Sequence, residues 1–233
     1  PALPFTDAYF ETVSGLTTSG ATVLEGLDEL PPSINIWRTQ LVWMGGMGVV
    51  VLAVAILPLL GVGGAQVFKA ETPGPMKDTK LTPRITETAK GLWAIYFVIT
   101  IACILSMKFA GMTWLDAVIH AFSTMGLGGF SSDDASFGFF DSPVIEAVTI
   151  AFMLLASLNF ATHFLVWRTR SLRPYARDPE AGMVMLAMIG ASALVAVYLW
   201  YTGYYAGFWQ SLRFAAFNVV SVASTTGFAT TDF

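Results

Sequence analysis

Three short stretches decide the fold: Thr17-Thr18-Ser19-Gly20, Ser123-Thr124-Met125-Gly126 and Ser224-Thr225-Thr226-Gly227. Each follows a short apolar segment, residues 6–16, 113–122 and 208–223. Aligned on glycine, all three read Thr/Ser-Thr-x-Gly. They recur roughly 100 residues apart, a period too long for a solenoid and suited to a repeated membrane module. The apolar segments are too short to span. A helix over 113–123 would be about 16 Å long at about 1.5 Å per residue, half of a hydrocarbon core of about 30 Å. Thr113 reads as its N-cap, with Asp116 as the capping-box partner. Such a helix starts outside the membrane and ends near its middle. The Thr-Gly backbone that follows persists at that depth only inside protein or beside water.

That arrangement has a definite chemistry. A helix C-terminus carries about half a negative charge. The carbonyls of the turn beyond it can replace a cation's hydration shell. Glycine permits the backbone angles that aim successive carbonyls one way, and threonine adds a hydroxyl oxygen. One Thr-x-Gly beside a membrane helix is ordinarily a packing contact; three in equivalent places carry the inference. The candidate ion-binding residues are Thr17, Thr18, Ser19, Gly20, Ser123, Thr124, Met125, Gly126, Ser224, Thr225, Thr226 and Gly227. Gly20, Gly126 and Gly227 are expected to meet around one axis, with the carbonyls of Thr18, Ser19, Thr124, Met125, Thr225 and Thr226 facing an alkali cation.

Composition places these loops in a membrane protein. Only 12% of the 233 residues are charged, where soluble domains carry about 25%, and the mean hydropathy is +0.64. One cysteine excludes a disulfide scaffold, and a net charge of −4 argues against nucleic acid as a partner. Residues 41–60, 91–107, 147–167 and 181–212 are uncharged runs, predicting four full spans with the last run too long for one helix. Nine of the twelve basic residues lie in residues 62–90 and 168–180. Both segments should therefore be cytoplasmic. The opposite side holds eleven acids and three basic residues, a balance that concentrates cations.

The three loops resemble the selectivity-filter loops of the Trk/Ktr/HKT superfamily of potassium transporters. Further matching stretches are Trp43-Met44-Gly45-Gly46-Met47-Gly48, Ala55-Ile56-Leu57-Pro58, Gly61-Val62-Gly63-Gly64, Ala70-Glu71-Thr72-Pro73-Gly74-Pro75 and Lys80-Leu81-Thr82-Pro83-Arg84. The resemblance implies an all-α, potassium-channel-like membrane fold. In it, modules of outer helix, pore helix with filter loop, and inner helix surround one central pore. On that plan residues 1–61 hold the pore helix, loop and inner helix of module 1. Residues 62–90 are a cytoplasmic loop, with Thr82 capping a helix that starts at Pro83 and runs into the second outer helix. Residues 91–167 are module 2, with 143–167 as one inner helix. Residues 168–180 are a second cytoplasmic loop, and 181–233 hold the outer helix, pore helix and loop of module 3.

The resemblance further implies potassium uptake across the bacterial inner membrane by a multi-pass protein that is not an enzyme. Potassium is its substrate and ligand, with no covalently bound cofactor. It also implies contact with membrane lipid, a homodimer, and a cytoplasmic TrkA-type ring that binds nucleotides. The plan has four modules, so this stretch alone is expected to conduct nothing, and the gating residues of the family lie beyond Phe233. A cation-coupled secondary transporter of a small solute is the alternative. It would want helix N-termini or a buried carboxylate at the site.

The remaining polar residues read mostly as structural. His120 and His163 are expected to be neutral packing histidines, with Asn159 as a partner for His163. Cys103 reads as a core residue. Gly45, Gly46 and Gly48 read as sites of close helix packing near the filter. Arg38 and Arg213 either brace a pore loop against an acid or snorkel.

Overall fold

The structure is a computed structural model and describes residues 3–56 and 81–231. Among these residues the regular structure is helical throughout, without a strand. In chain order the helices are α1 (Phe5–Leu16), α2 (Pro32–Ile56), α3 (Leu81–Phe109), α4 (Trp114–Gly126), α5 (Pro143–Ser157), α6 (Phe160–Thr169), α7 (Arg173–Arg177), α8 (Pro179–Tyr201) and α9 (Phe208–Ala223). A 3-10 turn, Ser136–Phe139, lies between α4 and α5.

The packing repeats from one module to the next. Helix α4 packs on α2 and α3, and α9 packs on α5 and α8. Each of these short helices therefore sits between the long helix before it and the inner helix of the preceding module. Helix α1 packs on α2. The core between them is apolar and well filled: Met47, Tyr96, Met107, Ile119, Phe137, Phe217 and Phe228 are buried. Phe137 and Phe228 meet as a tilted pair with centroids 4.6 Å apart, a contact worth about 0.5–1.5 kcal/mol beyond its burial.

Among the described residues two helices, 89–109 and 179–201, are long and apolar enough to cross a membrane, or three spans if the bent pair 143–157 and 160–169 counts as one, where four full spans were expected. The expected run 41–60 reaches past the described residues. The expected run 147–167 is not one straight helix, because α5 and α6 meet at 93° across a short break. Leu158 is extended there, and Asn159 turns the chain by accepting the amide of Ala161 as the N-cap of α6. The run 181–212 divides as anticipated, at a turn after Tyr201.

Thr82 and Pro83 lie inside α3, which includes Leu81, so Thr82 is not the cap of a helix starting at Pro83. That helix does run on into the second outer helix without interruption. Residues 62–80, the greater part of the first basic loop, lie outside the described residues, as do the stretches 57–58, 61–64 and 70–75.

Candidate functional site

The three short helices all end in the same way. Thr18 and Thr225 have positive φ, 54° and 64°, and so does Leu127, at 53°. Two residues later Gly20, Gly129 and Gly227 are positive again, at 74°, 68° and 84°. The hydrogen bonds match these angles. The amides of Ser19, Gly128 and Thr226 donate back to the carbonyls of Ser14, Ser123 and Ser221. The amides of Thr18, Leu127 and Thr225 donate to Gly15, Thr124 and Val222. This is a Schellman-type end, which satisfies the last carbonyls of a helix by turning the chain through the left-handed region.

These angles set the register of the repeat. Gly129, and not Gly126, corresponds to Gly20 and Gly227, so the second copy shifts by three residues from the glycine alignment. The equivalent segments are 14–21, 123–130 and 221–228. Ser123, Thr124, Met125 and Gly126 are the last turn of α4 and are buried. The Thr124 hydroxyl donates to the carbonyl of His120 at 2.6 Å, and the Thr124 carbonyl accepts from Leu127. Sequence reading passed over Leu127, Gly128 and Gly129. The signal was present in the pair Gly128-Gly129 followed by Phe130, which matches Gly227-Phe228 in the third copy.

The loops abut one another in chain order. A Cβ on Gly20 would collide with the carbonyl oxygen of Gly128. One on Gly129 would collide with the carbonyl oxygen of Thr226, and stand 3.3 Å from Gly227 Cα. The first loop thus touches the second and the second touches the third. At these two glycines the positive φ and the close approach both exclude a side chain. Positive φ at Thr18, Leu127 and Thr225 costs about 1–2 kcal/mol per residue. The left-handed residue thus recurs at one place in three copies, at non-glycine positions where it carries a cost.

The carbonyls of the turns are free. Among the described residues, those of 17–20, 126–129 and 224–227 accept no hydrogen bond. Each loop therefore offers four consecutive backbone oxygens at the end of a helix whose dipole is negative there. Oxygens of this kind suit a weakly hydrated monovalent cation. Among the described residues no group of three or more His, Cys, Asp or Glu side chains could hold a metal ion.

A serine supports two of the three turns from behind. Ser14 Oγ donates to the carbonyl of Ala21 at 2.6 Å, and Ser221 Oγ to that of Phe228 at 2.7 Å. The third member of the set, Ser123, is buried with its hydroxyl unpartnered among the described residues.

Both arginines of the outer segments brace loops. Arg38 is buried and pairs with Glu11 at 3.1 Å. It also donates to Thr22 Oγ1 at 3.1 Å and lies 4.3 Å over the ring of Phe130, so it joins the first loop to the second. Arg213 on α9 pairs with Glu146 on α5 at 2.6 Å and with Asp141 at 2.8 Å. The carboxylate of Asp134 accepts the amides of Gly26 and Leu27, another tie between the first and second outer segments. Beneath the loops, a Cβ on Gly46 would lie 2.8 Å from Gly126 Cα, and one on Gly45 would strike the carbonyl of Leu16. Among the described residues a Cβ on Gly48 meets nothing within 4 Å, and the close packing seen is at Gly45 and Gly46.

The two histidines are hydrogen-bonded as expected, with different partners for one of them. His120 Nδ1 lies 2.8 Å from the carbonyl of Asp116 and Nε2 lies 3.0 Å from Ser131 Oγ. His163 bonds to the hydroxyl of Tyr175 at 2.5 Å and to the carbonyl of Leu155 at 2.9 Å. Asn159 is not its partner, because the Asn159 side chain caps α6. Thr113 and Asp116 form the anticipated capping pair, the Asp116 amide donating to Thr113 Oγ1 at 3.1 Å. Cys103 is buried in the core.

Known proteins share this architecture. Residues 1–233 match the family model for TrkH, a cation transport protein. The Trk system potassium uptake protein TrkH of Halomonas elongata is 55% identical over 232 residues, covering 100% of this chain and 48% of that protein. The TrkH of Escherichia coli (strain K12) is 50% identical over 230 residues, covering 99% of this chain and 48% of that protein. The crystal structure of the potassium transporter TrkH from Vibrio parahaemolyticus superposes with a TM-score of 0.88 at 43% identity, over 99% of this chain and 46% of that one. The chain thus spans about half the length of the curated relatives it matches. The matched relatives are named as transporters rather than enzymes. By its whole-length match and its repeated pore loops, the chain belongs to the TrkH family of cation transport proteins.

Proposed function

We propose that this chain supplies three loops of a potassium selectivity filter in a protein that carries potassium inward across the bacterial inner membrane. One observation carries the reading: three adjoining loops share one backbone design, and their carbonyls accept no hydrogen bond among the described residues. The filter residues are Thr17, Thr18, Ser19 and Gly20 in the first loop, and Ser224, Thr225, Thr226 and Gly227 in the third. In the second they are Gly126, Leu127, Gly128 and Gly129, which take over from Ser123, Thr124 and Met125. Backbone carbonyls of these residues replace the hydration shell of potassium, with threonine hydroxyls as further oxygens. In this reading potassium is both substrate and ligand, with no covalently bound cofactor. The relatives' name, potassium uptake protein, supports the choice of ion.

The assembly we propose is a homodimer in lipid, regulated from the cytoplasm by a TrkA-type ring that binds nucleotides. Arg168, Arg170, Arg173 and Arg177 are exposed around α7 and form the basic surface available to it. The test of the function is growth. Expressed from its whole reading frame in cells without potassium uptake systems, the protein should restore growth at low potassium. Reconstituted in liposomes, it should pass potassium and rubidium down their gradients without a second ion gradient. A strict requirement for a proton or sodium gradient would favour the coupled transporter instead.

A further inference from the structure

The three pore helices share a second register position. Three residues before the aligned serines stand Glu11, His120 and Asn218. Each side chain reaches past its loop to the segment that returns outward. Glu11 Oε1 accepts the hydroxyl of Thr22 at 2.5 Å and the amide of Val23 at 2.8 Å. Asn218 donates to Thr230 Oγ1 at 2.8 Å and accepts the Thr230 amide at 3.3 Å. His120 Nε2 bonds to Ser131 Oγ at 3.0 Å. The loop is held at its inner end by the helix terminus and on its outward return by this clasp, so the clasp governs how far the free carbonyls can spread.

The clasps differ in chemistry and in strength. The first is a carboxylate with two loop donors and Arg38 on its other oxygen. Hydrogen bonds to charged groups are the stronger kind. The third is a reciprocal amide pair. The second is a single bond to an imidazole. A carbonyl can only accept, so the proton of His120 sits on Nδ1, facing Asp116, and Nε2 accepts from Ser131. The second loop also lacks the serine bond that the other two possess, because Ser123 is unpartnered among the described residues. At the turn itself it therefore has one hydrogen bond fewer than the other two, while its outward return is also tied to α4 by Ser132 Oγ, which donates to Asp116 Oδ1 at 3.0 Å. Phe137, Phe140 and Phe228 surround the His120 ring at 5.1–5.9 Å, which fixes its plane.

We infer that Glu11, His120 and Asn218 are positioning residues for the filter, and that the clasp from His120 to Ser131 limits discrimination between potassium and sodium. The inference rests on the cation-filter reading above. None of the three supplies an oxygen to the filter; each acts through the loop it holds.

The test measures rubidium uptake with and without excess sodium, in cells without their own potassium uptake, using the whole reading frame. His120→Leu and Ser131→Ala should each lower discrimination about fivefold, the factor expected for one ordinary hydrogen bond. His120→Asn should retain most of it, since asparagine makes the equivalent clasp on α9. Total uptake that falls with unchanged discrimination in both His120→Leu and Ser131→Ala would show a merely structural role and overturn the inference. If His120→Leu fails to insert, Ser131→Ala decides, because it removes one oxygen and leaves the ring packing intact. Gly129→Ser separates the two levels. Unchanged discrimination in that variant would overturn the filter reading itself. A shift there, without one at His120 and Ser131, would overturn only the clasp.

Discussion

At the scale of the residue, the repeat makes one position a control for another. Ser221 loses a hydrogen bond when changed to alanine and Ser123 does not. Ser221→Ala should therefore lower stability by about 1 kcal/mol, while Ser123→Ala should be neutral or stabilising. Thermal unfolding in detergent checks both. Gly126 and Gly129 should differ in kind. A Cβ on Gly126 would stand 2.5 Å from the carbonyl oxygen of Val42. Gly126→Ala should thus loosen α4 from α2 and cost about 1–3 kcal/mol by overpacking, read as a lower unfolding temperature. Two glycines one turn apart explain why the site was only partly legible in the sequence. Aligned on Thr/Ser-Thr-x-Gly, the first and third loops share one backbone register, and the second is offset from it by three residues. There the residue in the left-handed position is Leu127, which carries no composition signal. The hydrogen-bond register, which sequence does not display, assigns Gly129.

At the scale of the element, the short helices were readable and one long one was not. Thr113 and Asp116 gave the start of α4, and the apolar stretch after Phe208 gave α9. The break between α5 and α6 was hidden within an unbroken apolar run, with neither proline nor glycine at the bend. Its only signs were Ser157 and Asn159, both residues that bond to nearby backbone in preference to continuing a helix. His163 completes the break from within α6 by bonding to the Leu155 carbonyl at the end of α5. The following junction depends on a charge. Thr162 donates to Asp178 at 2.6 Å, and this hydroxyl, with the amides of Ala181 and Glu180, holds the Asp178 carboxyl below the usual carboxylate range. A depressed value means that the contribution is present above the unfolded value near about 3.9 and is lost as pH falls through the folded one. Protection of the first-turn amides of α8, taken relative to their intrinsic exchange rates at each pH, should therefore fall on acidification below that range. Asp178→Asn, which still caps, should remove the pH dependence.

At the scale of the whole molecule, the sequence identified three copies of one pore element, and the structure sets them side by side in chain order. Charge asymmetry predicts the sidedness, and the arginines around α7 are exposed, as the docking surface proposed above requires. Reversing Arg170, Arg173 and Arg177 to glutamate should weaken capture of a TrkA-type ring at least tenfold while leaving membrane insertion intact. Pull-down at matched expression measures this, and undiminished capture would return these residues to setting topology. The central claim is that the three loops form one cation filter whose equivalent glycines are Gly20, Gly129 and Gly227. The direct measurement is rubidium uptake against competing sodium for Gly20→Ser, Gly129→Ser and Gly227→Ser, with Gly48→Ala as the control, whose added Cβ meets nothing within 4 Å among the described residues. All three serine variants should admit sodium or stop uptake, while the control keeps parental uptake and selectivity. Parental rubidium uptake with parental sodium exclusion in any inserted serine variant would contradict the account.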